Sequence, residues 1–254
     1  MRIRACQLAL LAGLIAAWHV LVQVDWLPRF FFGEPAEVAK RVAVWFTTGE
    51  IWPHLSVTLV ETVAAFAVGT AAGVGAGLWL GISPFAARLL DPYIKGFNAM
   101  PRVILAPIFA VWFGLGMTGK IVLGITLVFF VVFFSVFHGV RDVSPVIVAN
   151  ARMLGATRSG LLRHVYLPSA LSWAFASLHT AVGMAFVGAV VGEYLGSARG
   201  VGYLILQAEG TFDINAVLAG VVVLTVCALI LDRAVSAVEV RLLRWRPDVR
   251  HDAN

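Results

Sequence analysis

The chain has 254 residues, 60% of them hydrophobic and only 13% charged, with a mean hydropathy of +0.90. A water-soluble domain runs near 25% charged residues and needs polar surface to cover its core, so this composition excludes a soluble protein and makes lipid the solvent. The net charge of +5 is scattered over short segments between apolar runs, as in the loops of membrane proteins, and argues against a nucleic-acid partner.

A helix crosses the hydrocarbon with about 20 mostly apolar residues. Six stretches qualify: Gln7–Val24, Leu55–Ile82, Val103–Met117, Ile121–His138, Ala170–Leu195 and Ala216–Val235. The first follows Met1-Arg2-Ile3-Arg4 and resembles a signal peptide. No small-x-small site precedes Asp25, so the expectation is a retained span. The second carries Gly69, Gly73, Gly77 and Gly81, four residues apart. That spacing lays a small-residue row along one face, suited to close helix packing in lipid. The third is short and contains Pro107.

The expected fold is all-α, one polytopic membrane domain over 1–254 with about six transmembrane helices. If both ends are cytoplasmic, the inside segments hold fourteen of the 19 Lys and Arg residues. The positive-inside rule therefore places both termini in the cytoplasm, with a basic tail from about 236 to 254.

The segment Arg141–Pro168 is the longest inside connection. Ser144-Pro145 is a helix start, a capping hydroxyl followed by proline at the first helical position. A short helix is expected from Pro145 to about Leu154, ended by Gly155. Thr157 can cap a second short helix, which Pro168 closes. Val146, Ala149, Met153 and Leu154 share a side of the first helix. An exposed apolar side needs a partner, either the chain's own inner loops or another protein.

The run Ala149-Asn150-Ala151-Arg152-Met153-Leu154-Gly155, then nine intervening residues that begin with Ala156, then Val165-Tyr166-Leu167-Pro168, resembles the EAA signature of ABC importer permeases. That signature is Glu-Ala-Ala, three residues, Gly, nine residues, Ile-x-Leu-Pro. Ala149 stands where the signature has Glu, and Asn150 where it has Ala. Further passages resemble the nitrate/sulfonate/taurine-type permeases: Leu90-Asp91-Pro92-Tyr93, Asn98-Ala99-Met100-Pro101, Trp112-Phe113-Gly114-Leu115-Gly116, Gly192-Glu193-Tyr194-Leu195-Gly196, Gly200-Val201-Gly202-Tyr203-Leu204-Ile205 and Arg244-Trp245-Arg246-Pro247. The resemblance implies a type I ABC importer permease fold in the bacterial inner membrane. It also implies a second permease copy, cytoplasmic ABC ATP-binding subunits that hold ATP and magnesium, and an extracytoplasmic substrate-binding protein. The ATPase-coupling residues it implies are Ala149–Ala156, Leu167 and Pro168.

Some signals mislead. Gly114 to Lys120 fits most of a Walker A loop, but Ile121 stands where Ser or Thr should hold magnesium. No cofactor is expected in this chain, and no catalytic activity. Cys6 and Cys227 have no partners at metal-ligand spacing. No two of the six histidines stand at the i, i+4 spacing of a metal pair. Glu61 lies inside the second span and Glu193 near the outer end of the fifth. A carboxylate there is costly and must face the bundle interior, a partner or water. Both are pathway candidates, and a structural role is the alternative for each. Trp26, Trp112 and Tyr194 suit interfacial anchoring. A six-span channel or scaffold is the alternative class, although no filter loop or charged ring is visible.

Overall fold

The computed structural model describes residues 2–242. They form α1 (Arg2–Gln23), α2 (Arg29–Phe32), α3 (Pro35–Thr48), α4 (Ile51–Ile82), α5 (Pro84–Ala99), α6 (Ala106–Phe113), α7 (Met117–Arg141), α8 (Pro145–Met153), α9 (Arg158–Leu161), α10 (Leu167–Leu195), α11 (Val201–Gly210) and α12 (Ile214–Leu242).

The centre of the bundle is α4 against α7. A methyl group on Gly69, Gly73, Gly77 or Gly81 would lie 2.7–2.9 Å from atoms of α7. The α7 side of this contact is a matching row, Val128, Val132, Val136 and Val140. Rows of small residues let two helices approach closely where lipid offers no hydrophobic drive. The pairing runs 69 with 128 and 81 with 140, so α4 and α7 are parallel.

That parallel packing decides the topology. The chain leaves α4 at Ile82 and re-enters α7 at Met117, at the opposite end of the bundle. The segment between them must traverse its length. It does so as a broken helix: α5, a 3₁₀ turn at Arg102–Leu105, and α6, bent by 81°. Among the described residues, five helices are long and apolar enough to span a membrane, and this bent pair makes the sixth crossing.

The third span therefore begins at Pro84, not at Val103. Its start was hidden because α5 carries Arg88, Asp91 and Lys95 and reads as polar. Ser83 caps α5 through the Ala86 N–H, with Pro84 in its first turn. Pro101 holds Met100 extended and ends the helix. Arg102 folds back to donate to the Asn98 carbonyl and side chain, at 3.1 and 2.6 Å, and lies over the Phe130 ring. One side chain thus satisfies an orphan carbonyl at the break.

α10 packs antiparallel to α7, with Gly188 against Gly124 and Trp173 against Gly139. Ser169 and Ser135 donate across this seam to Gly139 and Trp173 carbonyls, at 2.7 and 3.0 Å. At the Ile51 end, α3, α11 and the starts of α4 and α12 bury Val38, Trp45, Ile51 and Val201, with Trp18 of α1 packed beside them. Arg41 pairs with Asp213 across this cap. The basic tail expected from about 236 begins as helix, because α12 continues to Leu242. Residues 243–254 lie outside the described residues.

A larger side chain in the glycine row is expected to force α4 and α7 apart. Gly77→Leu should cost about 1–3 kcal/mol by overpacking. Gly75→Ala, with nothing within 4 Å of the added carbon, should be neutral. Thermal unfolding of the detergent-solubilised chain separates the two, and equal midpoints would contradict the packing.

Candidate functional site

The connection between α7 and α10 leaves the bundle at the Ile82 end. Ser144 Oγ accepts from the Val146 N–H at 3.3 Å, and Pro145 opens α8. α8 ends at Met153, and the turn closes through the Gly155 N–H to Arg152 and the Ala156 N–H to Ala151 carbonyls, at 3.0 and 2.9 Å. Gly155 sits at φ +85°, a conformation that costs an L side chain about 1–2 kcal/mol. Thr157 then caps α9 through the Gly160 N–H at 3.1 Å.

The second helix is not closed at Pro168. From Arg158 to Leu195 the chain is one helical span. A π-turn at Leu162–Tyr166 precedes the proline. Pro168 brings no N–H and would crowd the carbonyl four residues back, and the wider turn absorbs that mismatch within the helix. Leu167 and Pro168 are thus the first residues of α10, and α9 runs into it through the π-turn without a break in the helical span.

No residue of α8 is buried. Val146, Ile147, Met153 and Leu154 are exposed, the last two at 79% and 88%. Ala149, Asn150 and Arg152 are exposed, and Ala151 is half-buried. Among the described residues, no loop of the chain covers this apolar side.

A second polar constellation lies near the Ile51 end, inside the bundle. Glu61 of α4 and Glu193 of α10 are both fully buried. Lys120, in the first turn of α7, donates to Glu61 Oε1 at 2.8 Å and to Ser197 Oγ at 2.7 Å. Thr58 donates to Glu193 Oε1 at 2.6 Å and accepts the Val201 N–H at 2.9 Å. The Gly202 N–H donates to Glu193 Oε2 at 2.7 Å. Glu193 and Thr58 therefore cap the start of α11 from two other helices, with a carboxylate at the positive end of its dipole.

Gly200, at φ +119°, leaves the volume that the Glu193 carboxyl occupies. His54 Nδ1 accepts the Gly200 N–H at 3.2 Å. Both acids named as pathway candidates are buried within helix contacts. Lys120, the cation of the Walker-like run, is the partner of Glu61. The 3.6-residue period cannot show that pairing, because the two positions are 59 residues apart.

A third cluster bridges α10 and α12. His179 contacts Asp232 through Nδ1 at 2.6 Å and Glu239 through Nε2 at 3.2 Å. Beside it, a groove of about 270 Å³ between α4, α10 and α12 is lined by apolar side chains, among them Phe66, Phe175, Leu231 and Val238. The groove suits hydrocarbon rather than a charged solute.

Six crossings, a tightly packed parallel–antiparallel core and an exposed helical lever at one end define a membrane permease of the type I ABC importer fold. The chain belongs to the family of binding-protein-dependent transport system inner membrane components, whose pattern matches residues 69–244. It is 29% identical to the taurine transport system permease protein TauC of Escherichia coli, over 94% of this chain and 89% of that one. It is 30% identical to a putative aliphatic sulfonates transport permease protein, SsuC of Bacillus subtilis, over 94% and 87%. An inward-facing structure of the MetNI methionine ABC transporter superposes with a TM-score of 0.59 at 20% identity, covering 76% of this chain and 96% of that chain. A permease of this family is not itself catalytic, and hydrolysis belongs to a separate subunit.

Removing the Lys120 ammonium is expected to leave Glu61 as an uncompensated buried charge. Lys120→Met should cost about 3–5 kcal/mol, and adding Glu61→Gln should recover most of that loss. Unfolding midpoints of the single and double variants in detergent check the coupling. Equal losses in both would show that the pair is not the cause.

Proposed function

We propose that two copies of this chain form the translocation pathway of an ATP-driven importer and that α8 is its coupling helix. The observation that carries the reading is the bare apolar side of α8, carried at a turn that leads into α9 and α10. An exposed apolar patch rimmed by polar residues marks an interaction site. In the proposed assembly each α8 sits in a cleft of a cytoplasmic ABC ATP-binding subunit, where ATP and magnesium are held. Closure of those subunits moves α8 and switches the pathway between inward- and outward-facing states. An extracytoplasmic binding protein delivers the substrate.

The positive-inside distribution supports both termini and α8 lying in the cytoplasm. The substrate class is a small organic solute, sulfonate-, taurine- or nitrate-like, or a vitamin precursor. The relatives' names support the sulfonate and taurine part of that range. The names of a riboflavin permease and a formylaminopyrimidine permease among the relatives support the precursor part.

The test is reconstitution of the chain with its ATP-binding subunit and binding protein in liposomes. ATP-dependent uptake is expected, with taurine, an alkylsulfonate and a pyrimidine precursor as probes. ATP hydrolysis by the chain alone, or uptake without nucleotide, would refute the reading. Gly155→Val should insert normally yet lose transport and most stimulation of the ATPase, because its φ is hostile to a β-branched residue. Wild-type ATPase stimulation in that variant would remove α8 from the coupling path.

A further inference from the structure

The surface that α8 and α9 offer has a definite charge as well as an apolar tip. Between Arg141 and Pro168 the chain has four arginines and one acid, Asp142. Arg141 is drawn back over the Phe137 ring, 4.7 Å from its centroid. The other three, Arg152, Arg158 and Arg163, are exposed beside the exposed tip Met153-Leu154. Among the described residues, the ion pairs with a carboxylate involve other cations, and these three have none.

Ala149 lies one helical turn from Arg152 and Met153, the spacing at which helix side chains are neighbours. It brings no charge of its own. The face around the tip is therefore apolar at its centre and cationic at its edge, with no acid among Ala149, Asn150, Ala151, Arg152, Met153 and Leu154 to offset it.

Docking such a face sets two demands on the partner. Met153 and Leu154 gain by burial only against an apolar floor. Guanidinium groups brought to the edge of a contact lose water, and opposed by like charge they add repulsion. Carboxylates match them in charge and in fork geometry. We propose that the cleft receiving α8 is apolar at its floor and acidic at its rim, and that Arg152 is the charge on this chain that reads it. This inference rests on the coupling role assigned above and adds the chemistry of the partner. An anionic lipid headgroup is the competing acceptor for the same guanidiniums.

The test uses the full chain in lipid nanodiscs with the ATP-binding subunit that co-purifies with it. Affinity is measured across a salt series in discs with and without anionic lipid. Arg152→Glu should weaken binding about tenfold at low salt, and Arg152→Lys should retain most of it. Ala149→Glu should also weaken binding, because it sets an acid against an acidic rim. Wild-type affinity should fall as salt rises.

Unchanged affinity in Arg152→Glu, or tighter binding in Ala149→Glu, would overturn the proposal. So would an Arg152→Glu effect that vanishes in discs of phosphatidylcholine alone, which would assign the arginines to lipid. Failure of any ATP-binding subunit to associate with the wild-type chain would instead defeat the coupling reading itself, and this inference with it.

Discussion

The close parallel contact between α4 and α7 is the constraint on which the rest of the molecule depends. Four glycines meet four valines along just over three turns, and the two helices have no room for an added carbon between them. Because both run in the same direction, the chain between them has to return through the bundle. That requirement produces the broken α5–α6 crossing. A bare break in the helix would expose carbonyls to hydrocarbon, where each unsatisfied group costs several kcal/mol. Arg102 answers this by bonding Asn98, and the irregular backbone survives there.

The same core separates two specialised ends. At one, α8 stands clear of the bundle and α9 leads back into it. At the other, Glu61, Lys120, Glu193 and Thr58 join α4, α7, α10 and α11. One helical span, Arg158–Leu195, reaches from the first to the second. Its 38 residues amount to roughly 57 Å at the helical rise. In the proposed importer, a displacement imposed on α9 would be carried along this helix toward the carboxylate that caps α11. This gives the proposed importer a mechanical route between a cytoplasmic engine and the far mouth of the pathway.

The polar end also explains why charges persist in an apolar chain. Glu61 and Lys120 neutralise one another, and Glu193 is held by a hydroxyl and a backbone N–H at a helix start. An ion pair inside a protein contributes little net stability against apolar packing, while loss of either partner is costly. Such groups hold one arrangement of helices more than they strengthen it. Joining four helices at one mouth is a use that fits this energetics.

Much was legible before any coordinates. The apolar composition, the long hydrophobic runs and the capping pair Ser144-Pro145 are local signals, read within one or two helical turns, and they dictate a helical membrane protein with a short helix in the connection between α7 and α10. The start of the third crossing was not legible, because α5 carries three charges and only the direction of α7 reveals that it must return across the bundle. The continuation of α10 through Pro168 was also hidden, since proline predicts a stop and a π-turn leaves no mark in the local pattern. The Glu61–Lys120 pair, the Glu193 cap on α11 and the His179 bridge join residues 59, 9 and 53 or 60 positions apart. The sequence by itself determined that most of the chain dissolves in lipid and that a capped short helix begins at Pro145, because those depend on each residue's own solvation and on its near neighbours. Which helices run parallel, and which buried charges meet, depends on contacts between distant segments, and only the tertiary structure decided them.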